Sequence, residues 1–122
     1  MLAQGVMEDV GQEAFSESRS SPRRRAGWSA QVMRPGIGPV EARVIEVGAN
    51  GMRLEVDFLP NMRDQFLVRV TPHYAGQTLR FICRVEVRHV VVKGSVYHFG
   101  ALVVQIDEQP SRFLTQYAME FI

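Results

Sequence analysis

The sequence predicts an all-β domain that closes into a small antiparallel barrel and ends in a helix. Between residues 28 and 106, short segments alternate apolar and polar residues, the pattern of half-buried strands, and turn residues separate them. After Pro110, apolar residues recur at helical spacing. Consecutive short strands followed by one amphipathic helix are typical of a small barrel. Because side chains fill the interior of such a barrel, a ligand would bind on its outer surface or rim.

Turn chemistry defines the individual strands. The Pro-Gly-Ile-Gly-Pro run at 35–39 ends the first strand, and Asn50-Gly51 predicts a tight turn because both residues tolerate positive φ. Residues 57–64 form a connection, and Lys93-Gly94-Ser95 is the predicted tip of a hairpin. The predicted strands are 28–32, 40–47, 52–56, 66–70, 78–92 and 96–106, the last interrupted by Gly100.

Two further segments give clear patterns. The strand 78–92 alternates most cleanly, and its predicted inner face consists of Leu79, Phe81, Cys83, Val85 and Val87. Cys83 is therefore interpreted as a small core residue. Ser111 is the predicted N-cap of the C-terminal helix. The helix has apolar positions at Phe113, Leu114, Tyr117, Ala118 and Phe121.

Composition limits the class of protein. The 122 residues fit one domain, and the net charge of +1 exerts little pull on long nucleic acids. The single cysteine excludes an intramolecular disulfide. The sequence shows neither a signal peptide nor an apolar run of membrane-spanning length, so we expect a cytoplasmic protein. We expect a tail without stable structure over 1–18 and a folded domain over 19–122.

The residues typical of catalysis do not form a recognisable site. His73, His89 and His98 lack metal-ligand spacing, and His89 and His98 are expected to face each other across the last hairpin as a solvent-facing pair. There is no phosphate-binding loop and no dinucleotide fingerprint. We therefore expect that the protein is not an enzyme.

The run Arg19-Ser-Ser-Pro-Arg23-Arg24-Arg25 concentrates four positive charges just ahead of the first predicted strand. Guanidinium groups bind phosphate oxygens and guanine edges in bidentate fashion, and they stack on bases. A flexible arginine arm beside a rigid sheet could clamp a small ligand that carries guanine and phosphate. The alternative is a solvated basic patch on a disordered tail.

A second stretch, residues 43–54, reads as a strand, the Asn50-Gly51 turn and another strand. A simple hairpin explains Asn50 and Gly51 without any ligand. It does not explain why Glu46 and Gly48 stand at a strand end downstream of an Arg-x-x-x-Arg element.

Together these residues resemble the PilZ domain, the bacterial receptor module for cyclic di-GMP. Arg19-Ser-Ser-Pro-Arg23 matches the Arg-x-x-x-Arg element of that family. The stretch 46–51 occupies the place of its second element, Asp/Asn-x-Ser-x-x-Gly. The resemblance extends to Phe99-Gly100-Ala101 and to the aromatic C-terminal helix. It implies a six-stranded antiparallel barrel with a helix closing one end.

The resemblance also implies a set of ligand-binding residues. Arginines contact the phosphates and guanine edges, and the second element fixes a guanine on the barrel surface. In this chain Glu46 replaces Asp or Asn, and Gly48 replaces Ser. Two lost hydrogen bonds weaken binding by about 1–3 kcal/mol, roughly five- to hundredfold. The predicted cyclic di-GMP site consists of Arg19, Arg23, Arg24, Glu46, Gly48 and Gly51.

Two functions follow from the resemblance. The first is a cyclic di-GMP receptor that changes its surface on binding and regulates a partner protein, with an output of the motility, biofilm or exopolysaccharide type. The second is a ligand-independent adaptor that acts through protein contacts, which the altered Glu46 and Gly48 favour. Nonspecific nucleic-acid binding by the arginines is the weakest alternative, because the net charge is near zero.

Overall fold

The computed structural model describes residues 22–120 as a barrel with a helix at its C-terminal end. The elements are β1 (Arg23–Arg34), β2 (Gly38–Gly48), β3 (Gly51–Val56), β4 (Gln65–Thr71), β5 (His73–Tyr74), β6 (Gln77–Thr78), β7 (Phe81–Lys93), β8 (Val96–Gln105) and α1 (Glu108–Met119). Six strands close antiparallel in the order β1-β2-β3-β8-β7-β4, and β5 pairs with β6 in a separate ribbon. The predicted six-stranded barrel with a C-terminal helix is confirmed.

Alternate residues of each long strand fill the barrel. Cys83 and its neighbours Val85 and Val87 are buried, as predicted. The helix α1 closes one end because Leu114, Tyr117 and Ala118 are buried on one side of it. Trp28 lies against that end, with its ring centroid 4.8 Å from that of Tyr117. Elsewhere in the core, the ring of Phe66 contacts both Phe58 and Phe99, with centroids 5.8 Å and 6.2 Å apart.

Strand β1 begins earlier than the alternation indicated. The predicted start at residue 28 is wrong, because Arg23, Arg24 and Arg25 already pair with β2. The eleven residues of β2 extend far enough to supply backbone partners for them. At residues 26–27 the register with β2 shifts, and Gly27 has a φ of 70°. This irregularity interrupts the apolar alternation, so the sequence pattern did not show that the arginines and Trp28 belong to one strand.

The helix also begins earlier than predicted. Its N-cap is Asp107 rather than Ser111, and Ser111 N–H instead donates to the Asp107 carbonyl at 3.0 Å. Pro110 is the third residue of the helix, where a backbone N–H has no partner within the helix. Proline is therefore tolerated in this first turn, and it did not mark the boundary.

Three details of the last hairpin differ from expectation. Leu79 lies before β7 and is 39% exposed, so it is not a core residue. Gly100 does not interrupt β8, because it pairs with Arg53 on one side and His89 on the other. His89 and His98 do not face each other, since a register shift near residue 88 places Val91 opposite His98.

Some of the expectations from the sequence concern residues that the structure does not describe. The tail 1–18, Arg19 and Phe121 lie outside the described residues. Within residues 22–120, no helix has the length and apolar character to cross a membrane.

Candidate ligand-binding site

Arg23 lies across the end of β2. It pairs in register with Gly48, and its Nη1 atom is 3.6 Å from Oε1 of Glu46. The two side chains are 18% and 29% exposed, so both are accessible from solvent. The first strand and the end of the second thus bring an arginine and a carboxylate of the predicted site together.

Gly48 leaves room for this arginine. A Cβ atom at this position would lie 3.0 Å from Cγ of Arg23 and 3.2 Å from the carbonyl oxygen of Pro22. The missing side chain therefore lets the start of β1 lie directly on β2. The family's serine would have to displace the Arg23 side chain from its present position.

Gly51 is required by the barrel itself. A Cβ atom there would lie 2.7 Å from the carbonyl oxygen of Ala101 in β8, closer than real Cβ atoms approach backbone. Next to it, Val103 N–H donates to the Asn50 carbonyl at 2.9 Å. The close contact between β3 and β8 explains this glycine without a ligand, although Gly51 also borders the candidate site.

The cross-strand register extends the site over neighbouring strands. Glu46 pairs with Arg25 on one side and with Arg53 on the other. Arg53 in turn pairs with Gly100. Since inward residues of β3 alternate with outward ones, Arg53 lies on the outer face of the barrel. Arg25, Glu46, Arg53 and Gly100 thus form a row of cross-strand neighbours, which places two further arginines beside Glu46.

Sequence reasoning missed Arg53 as a site residue, and it placed Arg25 in the arginine arm without assigning it to the predicted site. The available signal was strand alternation: residues two apart share a face, so Arg25 accompanies Arg23. In the same way Arg53 is outward because Met52 and Leu54 are buried. Because β1 was predicted to start at residue 28, the shared face of Arg23 and Arg25 was not recognised. The position of Arg53 beside Glu46 depends on the register of β3 with β2, which the sequence alone does not specify.

Arg24 points away from this face. Its guanidinium lies 4.1 Å from the ring centroid of Tyr117 and 5.4 Å from that of Tyr74. Its Nη1 also donates to the Tyr117 carbonyl at 3.3 Å, and the Tyr117 hydroxyl donates to the Arg25 carbonyl at 2.7 Å. Arg24 thus holds α1 against β1, and the structure does not bring it together with Glu46 and Gly48.

The row ends at His89 on β7, which is uncharged at neutral pH. Burial, with a smaller contribution from the positive charge of Arg53, lowers the pKa of His89 below its ordinary value of 6.5. His89 is paired with Gly100 and so lies two strands from Arg53. The carboxylate of this row is Glu46, and the neighbouring charges are positive.

The chemistry of this face suits a flat anionic ligand. Arg23, Arg25 and Arg53 supply guanidinium groups, while Gly48 and Gly100 supply strand positions without side chains. Both glycines are buried, so a planar ring would reach their backbone only when the side chains that cover them, such as Arg23 over Gly48, move aside. Within residues 22–120, no three His, Cys, Asp or Glu side chains are grouped to hold a metal ion.

Comparison with known proteins identifies the architecture. The chain is similar to the inhibitor of motility of Bacillus subtilis (MotI/DgrA), with a TM-score of 0.73 and 15% sequence identity. The match covers 84% of this chain and 50% of that one, so the chain spans about half the length of its structural neighbour. The fold is PilZ-like. No protein-family model and no curated protein sequence matches the chain.

Proposed function

We propose that the chain is a cytoplasmic, non-catalytic receptor for cyclic di-GMP that regulates a partner protein. The observation that carries the proposal is the placement of Arg23 over Gly48 and beside Glu46, on the outside of a PilZ-like barrel. The ligand would lie on the outer face of β1, β2 and β3. Arg19 belongs to the proposed site through its place in the Arg-x-x-x-Arg element.

The arginines would supply most of the binding energy. Arg23 and Arg25 lie on β1 and Arg53 lies on β3, on either side of Glu46 in β2, and the three could contact phosphates and guanine edges together. Glu46 would accept hydrogen bonds from a guanine, whose N1–H and N2–H₂ groups are donors. The ligand must also compete with the carboxylate of Glu46 for Arg23, which lowers the net gain.

The helix α1 would transmit the binding event. Residues 23–25 contact the candidate face through Arg23 and contact the helix through Arg24. A ligand that shifts this short segment would change the stacking of Arg24 on Tyr117 and the hydrogen bond from Tyr117 to the Arg25 carbonyl. The surface around α1 would then differ between free and bound protein. The likeness to an inhibitor of motility supports an output of the motility type.

A ligand-independent adaptor is the second candidate. Two observations favour it: the Glu46 carboxylate already neutralises part of the charge of Arg23, and the Arg23 side chain occupies the space of the family's serine. In this case the PilZ-like barrel would serve only as a docking scaffold for a partner protein.

Isothermal titration calorimetry with cyclic di-GMP separates the two candidates. The Arg23→Ala variant removes the central cation of the site. The Arg112→Ala variant removes the same charge from the exposed face of α1, where Arg112 pairs with Glu108, and serves as the control. Loss of charge-assisted hydrogen bonds worth about 1.5–3 kcal/mol predicts a roughly 10- to 150-fold weaker affinity for Arg23→Ala.

A receptor requires measurable binding by the natural chain and by Arg112→Ala, with the loss confined to Arg23→Ala. The absence of heat from the natural chain at high micromolar ligand would reject the receptor and leave the adaptor. Equal weakening in both variants would show that binding depends on overall charge rather than on this face.

A further inference from the structure

The strand β7 has an edge that its neighbours leave open. Strand β4 pairs with β7 only as far as Glu86, whereas β7 continues to Lys93. The connection before β4 covers the next residue: Arg63 N–H donates to the Val87 carbonyl at 2.9 Å, and Val87 N–H donates to the Asp64 carbonyl at 2.8 Å. Beyond Val87, no strand among the described residues lies on this side of β7.

The hairpin geometry shows which backbone groups face outward. Lys93 pairs with Val96 across the two-residue turn Gly94-Ser95, and the residues that flank such a turn exchange both of their hydrogen bonds. Because backbone groups alternate in direction along a strand, the N–H and C=O groups of Val91 point toward β8. Those of Val90 and Val92 point away from β8. Among residues 22–120, no backbone group from a loop or connection forms a hydrogen bond with the N–H or C=O groups of Val90 and Val92.

The side chains along this edge are apolar and accessible. Val91 is 37% exposed and Val92 is 65% exposed. On the connection before β4, which bonds to Val87 through Arg63 and Asp64, Leu59 and Met62 are 60% and 53% exposed. Exposed edges are commonly protected by charged residues or proline, and here Lys93 is the one charged residue between Val90 and the turn.

We propose that this edge, His89–Lys93, pairs with the same edge of a second copy of the chain. The sequence His-Val-Val-Val-Lys is nearly palindromic about Val91, so a two-fold axis at Val91 makes an antiparallel pair in register. Val90 and Val92 of each copy then exchange four backbone hydrogen bonds with Val92 and Val90 of the other. The two Val91 side chains meet at the axis, where opposite side chains are closest.

The charges and shapes around the edge fit this occupant. The pair brings Lys93 of each copy opposite His89 of the other, and His89 is neutral at pH 7 because its pKa is lowered. The residues that follow Lys93 are Gly94 and Ser95, which are small enough to lie beside Met62 and Arg63 of the other copy. A strongly charged partner would find no matching charge on Val90, Val91 or Val92. This interface uses the free edge of β7, whereas the proposed ligand would lie on β1, β2 and β3, and the interface does not depend on the proposed function.

Sedimentation velocity and amide hydrogen exchange test the proposal on the full chain. The concentration should run from about 1 μM to about 1 mM, where modest interfaces associate. Val92→Pro removes an outward N–H, a change that an edge strand tolerates, whereas Val92→Thr keeps it and is the matched control. Val91→Arg places two like charges at the two-fold axis.

The expected result is an average mass that rises with concentration from 13.8 kDa toward twice that value for the natural chain and for Val92→Thr. Both Val92→Pro and Val91→Arg should stay at the mass of one chain. The amides of Val90 and Val92 should gain protection with concentration, while that of Val91 is protected throughout. A natural chain that stays monomeric, or one that dimerises without protecting these two amides, would overturn the proposal.

Discussion

Gly48 and Gly51 lack a side chain for two different physical reasons. At Gly51 the obstacle to a Cβ atom is backbone, the Ala101 carbonyl oxygen at 2.7 Å. At Gly48 the nearest obstacle is the flexible side chain of Arg23 at 3.0 Å. Backbone within a closed barrel cannot move without disturbing its neighbours, whereas an arginine side chain can choose another rotamer.

This difference predicts unequal effects of adding one methyl group. Gly51→Ala should lower the free energy of unfolding by about 1–3 kcal/mol, the usual effect of overpacking. Gly48→Ala should cost less, because the Arg23 side chain can move aside and the Pro22 carbonyl oxygen, at 3.2 Å, needs only a small shift at the very start of β1. Urea denaturation of both variants measures the two values. An equal or reversed order would contradict the packing described for the β3–β8 contact.

At the scale of elements, α1 is held to β1 by one residue in two ways. Tyr117 is 6% exposed, its ring lies under Arg24, and its hydroxyl donates to the Arg25 carbonyl at 2.7 Å. Tyr117→Phe keeps the ring and removes only the hydrogen bond. The unfolding free energy should fall by about 0.5–1.5 kcal/mol in denaturant titrations. Tyr97→Phe, which alters a hydroxyl away from α1, is the control, and an equal loss in both variants would contradict the role of Tyr117.

Strand β7 is joined to β4 and its preceding connection through one carboxylate. Glu86 accepts hydrogen bonds from Gln65 at 3.1 Å, from Arg88 at 2.8 Å and from Arg63 at 3.3 Å. The bonds from Gln65 and Arg88, followed by that from Arg63, lower the pKa of Glu86 below its ordinary value of 4.5. A lowered pKa stabilises the fold at pH values above 4.5, and this contribution is lost as the pH falls through the folded-state pKa.

The pH dependence of a variant checks this effect. Glu86→Gln should be less stable than the natural chain at pH 7, and the difference should shrink as the pH falls below 4.5. Glu108→Gln alters an exposed i,i+4 pair on α1 and should show little difference at either pH. A gap between the natural chain and Glu86→Gln that is independent of pH would contradict the account.

At the scale of the whole molecule, Cys83 reports whether the barrel is closed. The side chain is 3% exposed, and burial raises the pKa of its thiol to about 12. Because the thiolate is the reactive form, native protein should react with a thiol reagent only when the barrel opens. The labelling rate should therefore rise with urea in parallel with unfolding. Rapid labelling of native protein would show that the barrel opens locally around β7.

Much of this architecture could be predicted from the sequence. Period-2 alternation located the six barrel strands, and Gly94-Ser95 is the turn of the last hairpin, as predicted. The predicted Asn50-Gly51 turn is wrong by one residue: the bend lies at residues 49–50, Gly51 begins β3, and neither Asn50 nor Gly51 has a positive φ. The start of β1 could not be predicted, because Arg23–Arg25 form a strand only through pairing with the end of β2. The start of α1 was missed because a proline in the first helical turn looks like a boundary.

The candidate site was only partly accessible to sequence reasoning. The motif resemblance led to Arg23, Glu46, Gly48 and Gly51, which the structure places at adjoining strand ends. It also led to Arg24, whose contact with α1 is a tertiary interaction that no local pattern encodes. Arg53 joins the site through the register of β2 with β3, and register depends on irregularities such as the one near residue 45.

The most direct test of the central proposal is an NMR titration of isotopically labelled chain with cyclic di-GMP. Binding on the outer face of β1, β2 and β3 predicts saturable amide shifts at Arg23, Arg25, Glu46 and Arg53, and smaller shifts at Tyr117 transmitted through Arg24. Residues 81–85 of β7, a strand three positions from β2 in either direction around the barrel, should not move. Unchanged amides at Arg23 and Glu46 under saturating ligand would contradict the receptor.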